Sequence, residues 1–274
     1  MQSKYLCNLN NLCNHNIKTM KTRPILIILA LLSFGLTACK KDKTDNRKTY
    51  LTIHRHGSGT IEYTYDDKDR LTDETIKDAR GETDLHLAYR QFNAVGMPQR
   101  VDYIFPEAVH QPYILVEYDG SARPVKIIQY ATDGTAGPYE TFTYVTGRVE
   151  YRTFSSGGAQ QSSKIYAINN AGNVLSADFF GDDGLLSWRI VYTGYDNKKA
   201  PTHPYKYLAI ALDEVPNFFS ANNYTGYEAY AGTTLDAKYS CTYTYNQQGF
   251  ASGRVTTDLV SNVSSEEFYE FVER

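Results

Sequence analysis

Few residues are typed and spaced for chemistry. A thiol, Cys39, closes the stretch Leu36-Thr37-Ala38-Cys39. Two imidazoles, His54 and His56, flank Arg55 and would share one face of a strand, an arrangement able to hold zinc. No third ligand lies near them, and structural zinc wants four ligands at defined spacing, so no metal site is expected. Asp66, Asp67 and Asp69 invite a calcium reading. The alternating oxygens, glycine and distal glutamate of a calcium loop are missing, so a solvated turn is expected. Asp182-Asp183-Gly184 reads as a hairpin turn from its flanking strands. Cys241 sits in the alternating stretch Tyr239 to Tyr243 with no adjacent cation to activate it, and is read as a small packed residue. The sequence holds no Gly-x-Ser-x-Gly, His-Glu-x-x-His or phosphate-binding loop. Paired carboxylates for glycoside hydrolysis stay open, because their separation is a property of the fold, but no particular pair is indicated. No catalytic residue and no cofactor are therefore expected.

Cys39 takes its meaning from what precedes it. Met20-Lys21-Thr22-Arg23-Pro24 leads into an apolar run from Ile25 to Leu36 and then the small residues Thr37 and Ala38. Cations, a short apolar run and small residues make a secretory signal. The run is too short for a spanning helix, which needs about 20 apolar residues. The tetrad ending at Cys39 resembles the lipobox of bacterial lipoproteins. That resemblance implies a thiol linked to diacylglycerol, cleavage just before Cys39 and an acylated amine, hence a membrane partner through the lipid anchor. Residues 1–19 are polar and asparagine-rich, so Met20 is read as the true start and 20–38 as the signal peptide. Residues 39–49 become a lipidated tether and 50–274 a single β domain.

The chain beyond residue 38 carries 24 basic and 31 acidic residues, a balance of −7, which argues against a nucleic-acid partner. Cys241 is left without a disulfide partner once Cys39 is acylated. Tyrosine dominates the aromatics: 24 in the whole sequence against 12 Phe and 1 Trp. Tyrosine suits a half-buried pleated surface, its ring packed and its hydroxyl wet. Many strands, each with one solvated face, are implied.

The elements that would position these residues repeat. An alternating strand ends in Tyr-Asp or a variant of it, passes a short turn and resumes as a second strand. Tyr65-Asp66, Phe92-Asn93, Tyr118-Asp119, Tyr144-Val145, Ile168-Asn169, Tyr195-Asp196 and Tyr245-Asn246 mark the copies, 24 to 27 residues apart except at the last step, which is about twice as long. Such a period signals stacked supersecondary units, here β-hairpins whose Asp or Asn starts the turn and whose Gly takes the positive-φ position. Between 200 and 223 the pattern is replaced by a proline-bearing insert, read as a cap or plug with a short helix over 205–214.

The Tyr-Asp-x-x-Gly turns resemble the YD repeats of rearrangement-hotspot proteins and teneurins. The whole plan is more similar to Bacteroidetes lipoproteins of unknown function with a porin-like β fold. It combines the tetrad at Cys39, a Lys/Asp-rich spacer, Tyr-Asp hairpins, and Tyr195-Asp196-Asn197-Lys198 leading into Ser220-Ala221-Asn222-Asn223. The resemblance carries structural motifs and no active site. Lysine rather than aspartate after Cys39 implies, by analogy with other lipoproteins, an outer-membrane location.

The expected fold is all-β, an antiparallel meander of hairpins curved into an open or closed barrel-like sheet. A true membrane porin is the alternative, opposed by charges within the strands at Glu62, Asp102, Glu117, Lys126 and Arg189. The expected role is a lipid-anchored, non-catalytic module for glycan or peptide. Tyr63, Tyr65, Tyr243 and Tyr245 would be exposed on one sheet face as its binding residues. An envelope structural or assembly part is the alternative, and a hydrolase ranks last.

Overall fold

The structure, a computed structural model, describes residues 48–107, 111–201, 205, 208 and 220–274. Cys39 and the targeting segment lie outside the described residues, as does most of the helix expected over 205–214.

Among the described residues eighteen strands follow one another: β1 (Thr49–His56), β2 (Gly59–Tyr65), β3 (Leu71–Asp78), β4 (Thr83–Phe92), β5 (Pro98–Ile104), β6 (Tyr113–Tyr118), β7 (Pro124–Tyr130), β8 (Ala136–Val145) and β9 (Arg148–Phe154). Then come β10 (Gln160–Ile168), β11 (Val174–Phe180), β12 (Leu186–Tyr192), β13 (Tyr195–Lys199), β14 (Asn222–Tyr224), β15 (Gly226–Ala231), β16 (Thr234–Tyr245), β17 (Ala251–Asp258) and β18 (Ser264–Glu273). Sixteen of them form a closed antiparallel barrel in meander order, with β12 beside β15, while β13 and β14 pair in a small separate sheet. The first and last barrel strands close the seam, Thr49 opposite Glu273 and Arg55 opposite Phe268. The all-β meander is thus as expected, and the sheet is closed.

Five of the seven expected turns are built by their own Asp or Asn, whereas Tyr144-Val145 leads into a two-residue Thr146-Gly147 turn and Tyr195-Asp196 opens β13, which pairs with β14, instead of a hairpin. The Asp119 carboxylate accepts the backbone N–H groups of Ser121 and Arg123, both at 2.9 Å. Asn93, Asn169 and Asn246 accept the corresponding pairs of N–H groups. Three residues after each comes a left-handed residue, Gly96, Gly172 or Gly249, matching a type I turn with a glycine bulge. Asp69 occupies this position in the first copy at φ 61°, a conformation that Asp tolerates better than most residues. Asp66 also holds the Arg70 guanidinium at 2.7 Å, and Arg70 lies 4.1 Å over the Phe92 ring of the next copy. Asp119, Arg123 and Tyr144 repeat this arrangement. The ring then turns inward and its hydroxyl caps a neighbouring strand: Tyr118 donates to the Pro98 carbonyl at 2.6 Å and Tyr144 to that of Pro124 at 2.9 Å. Asp182-Asp183-Gly184 is also a hairpin turn, between β11 and β12, with Gly184 at φ 73°.

The wall has two unlike faces. Alternate residues turn inward and form one core, including Leu71, Leu87, Tyr89, Val101, Ile127 and Val174, all nearly inaccessible. The residues between them along each strand turn outward and pair as ions: Lys77 with Glu62, Arg90 with Asp73, Arg189 with Asp178 and Lys238 with Glu228. Arg55 pairs with Glu270 across the seam. Glu62, Asp102, Glu117, Lys126 and Arg189, the charges noted within strands, all face outward by register.

The chain enters and leaves at the same end of the barrel, where Lys48 and Arg274 exchange backbone hydrogen bonds of 3.0 Å. The Tyr-Asp turns gather at this end and the insert fastens to it. Tyr205 is buried against Tyr89 and donates to the Leu71 carbonyl at 2.8 Å; Leu208 is buried too. The Tyr195 and Ser220 segments meet: Asn223 donates to Asp196 at 3.1 Å, and Asn222 and Asn173 exchange hydrogen bonds of 2.9 and 3.2 Å.

Candidate functional site

The two imidazoles share the inner face near the seam, ring centroids 5.3 Å apart. What surrounds them is a structural clasp. His54 lies 3.1 Å from Glu267 and stacks on Tyr269, centroids 4.9 Å apart. Glu267 also accepts the Tyr269 hydroxyl at 2.7 Å and a bond from Arg254. Arg254 in turn donates to the Tyr224 hydroxyl at 2.6 Å. Burial would raise the pKa of Glu267, but the hydrogen bond with His54, the Arg254 charge and the Tyr269 hydroxyl overcome it and hold the carboxyl well below the usual range. Both Glu267 oxygens are committed, so the cluster ties β1, β17 and β18 together. Among the described residues no three His, Cys, Asp or Glu are placed to hold a metal ion. Cys241 is buried, its sulfur 3.7 Å from the Thr256 hydroxyl.

The four tyrosines expected to form an exposed ladder share a face, but it is the inner one. Tyr63 and Tyr65 are buried, and Tyr65 donates to the Leu51 carbonyl at 2.8 Å. Tyr243 is half-buried and donates to the Tyr224 carbonyl at 2.8 Å. Tyr245 keeps more exposure and binds Asp196. Closure corrects the expected exposure: a barrel turns one face of every strand away from bulk water, and here the tyrosine face is that one.

A depression occurs instead on the outer face of β16 to β18. It encloses about 260 Å³ and is lined by Thr242, Thr244, Gly253, Val255, Glu266 and Phe268. Tyr243, Arg254 and Glu267 also contribute to its floor, although their side chains point into the barrel. The register explains the groove. Gly253 lies opposite Thr244 on one side and Phe268 on the other, so the middle position of an outward row lacks a side chain. A Cβ there would come within 2.8 Å of the Thr244 hydroxyl oxygen and 3.6 Å of the Phe268 ring. Phe268 is 50% exposed. The groove therefore presents an apolar ring, two hydroxyls and a carboxylate around a gap the size of a small polar ring. Only one signal in the sequence pointed here, an isolated glycine inside a strand, which often marks a close approach by another molecule.

No family model matches the sequence, and no curated protein does. The fold is shared with solved structures, two porin-like proteins among them. A porin-like protein from Bacteroides uniformis aligns over 82% of this chain and 95% of its own at 12% identity, with a TM-score of 0.55. A porin-like protein from Bacteroides vulgatus aligns over 81% of this chain and 98% of its own at 9% identity, with a TM-score of 0.50.

Proposed function

We propose that this chain is a lipid-anchored cell-envelope protein, held at the outer membrane through Cys39, whose barrel stands in water and binds a glycan without catalysis. The observation that carries the binding role is the groove over Gly253, with Phe268, Thr242, Thr244 and Glu266 around it. An aromatic ring packs against the apolar face of a sugar, while hydroxyls and a carboxylate take its hydroxyl groups. Three further facts support the reading. The fold resembles that of porin-like Bacteroides proteins. The outer face carries the cations of Arg55, Lys77, Arg90, Arg189 and Lys238, and each Arg or Lys facing lipid costs about 2–4 kcal/mol at a bilayer midplane. A barrel with such a wall belongs in water, which leaves membrane attachment to the lipid on Cys39. Closure also leaves the barrel no strand edge for an extended peptide to join, which favours a glycan over a peptide.

Screening the mature protein on a bacterial and host glycan array tests the reading, with Gly253→Val and Phe268→Ala alongside. Gly253 has an ordinary negative-φ backbone, so valine fills the groove and asks only the Thr244 hydroxyl to move. Binding should fall at least tenfold in both variants with little change in melting temperature. Glycan binding that ignores both changes would remove the groove from the account. Separately, Cys39→Ser should release the protein from the membrane fraction; retention there would end the lipid-anchor reading.

An envelope assembly role has one observation of its own. At the end of the barrel away from the termini, Leu185, Val260 and Val263 are exposed by 68%, 73% and 66% on two hairpins with the β15–β16 hairpin between them.

A further inference from the structure

Most outward carboxylates of this barrel are paired, and of the strand glutamates that are not, such as Glu117 and Glu266, it is Glu266 that lines the groove. Glu62, Asp73, Asp178, Glu228 and Glu270 each lie within 4.0 Å of an Arg or Lys nitrogen. Asp102 pairs with Arg100, and Glu150 with both Arg148 and Arg152. Glu266, which lines the groove, has no hydrogen bond and no ion pair among the described residues. Its register partner is Val255, and the adjacent cation, Arg254, is turned to the inner face and spent on Glu267 and Tyr224. Thr242 and Thr244, on the far side of the groove, are neutral.

Resting on the glycan reading above, we infer that the groove selects a sugar residue bearing a protonated amine. The ligand then supplies the cation that the wall withholds from Glu266. An ammonium group beside Glu266 also lies near the Phe268 ring, and a cation is attracted to an aromatic face as well as to a carboxylate. A uronic or sialic acid would bring a second negative charge to a place with no free cation, so acidic sugars are excluded by the same geometry. An N-acetylated sugar keeps the ring contact and loses the charge.

Three tetrasaccharides tested by calorimetry on the full chain at low salt separate these cases: glucosamine, N-acetylglucosamine and galacturonic acid. The glucosamine oligomer should bind at least tenfold more tightly than the N-acetylated one, and the acidic oligomer should not bind measurably. Glu266→Gln should bring the first two affinities together while the protein keeps its melting temperature, and Glu266→Asp should restore part of the difference. Raising the salt concentration should narrow the gap in the native protein, because exposed charge pairs are screened. If both neutral and amino sugars bind equally, and binding still depends on Phe268, the amine preference is wrong and the glycan site stands. Preferential binding of the acidic oligomer overturns the inference in the same way. If none of the sugars binds, and the wider array is also blank, the glycan reading falls and this inference with it.

Discussion

The inner and outer faces of the barrel wall use the same kinds of residue for different ends. On the outer face, Arg189 and Asp178 sit on neighbouring strands in contact with water, 44% and 15% exposed. On the inner face, Arg254 and Glu267 also sit on neighbouring strands, but Arg254 is 7% exposed and is held by the half-buried Glu267 and the buried Tyr224. The outer pair gives the wall a hydrated surface at little energetic gain. The inner pair cannot be opened without stranding a charge in the core. Identical chemistry therefore makes a charged wall on one side and fixes the closure of the seam on the other.

Removing one partner from each pair should make that contrast plain. Arg254→Ala leaves the half-buried Glu267 without its cation and should cost about 3–5 kcal/mol in denaturant unfolding. A loss under about 1 kcal/mol would place the inner pair in the same class as the outer ones. Acid titration sharpens the point. Glu267 has a folded-state pKa held below its unfolded value, which is about 4.3 for a free glutamate. Its contribution is therefore whole above about pH 5 and is lost as pH falls toward the folded value. Glu267→Gln should flatten the acid limb of a melting-temperature profile, and an unchanged limb would show that other carboxylates govern it. Next in size comes Tyr118→Phe, which deletes the hydroxyl that caps the Pro98 carbonyl and should cost about 0.5–1.5 kcal/mol. The smallest effect belongs to the outer face: Arg189→Ala should cost about 0.2–1 kcal/mol, and less in high salt. A larger loss there would mean that the belt of ion pairs carries part of the fold.

The hairpins were legible because their physics is local. An Asp or Asn that accepts two backbone N–H groups within four residues needs nothing from elsewhere in the chain, so Asp66, Asn93 and Asp119 announce their turns directly. Alternation likewise showed that Tyr63 and Tyr65 share a face. It could not show which face closes inward, since an amphipathic ring is at home on either. Closure decides that, and closure depends on pairing β1 with β18 across most of the sequence. The clasp of His54, Arg254 and Glu267 was hidden for the same reason, with 213 residues between His54 and Glu267. The groove was not read from the sequence. Gly253 is its one local mark, and Phe268 opposite it is set by the register of β17 on β18.

The mutual hydrogen bonds of Lys48 and Arg274 bear on how the protein is made. Each hairpin can form as soon as its two strands exist, because its contacts are near in sequence. The seam must wait for β18, which comes after the other barrel strands in chain order. Until then both edges of the growing sheet are unpaired, and exposed edges are where chains join one another by mistake. A premature stop before Ser264 would thus remove more than ten residues of one strand: it would leave β1 and β17 as two permanent adhesive edges.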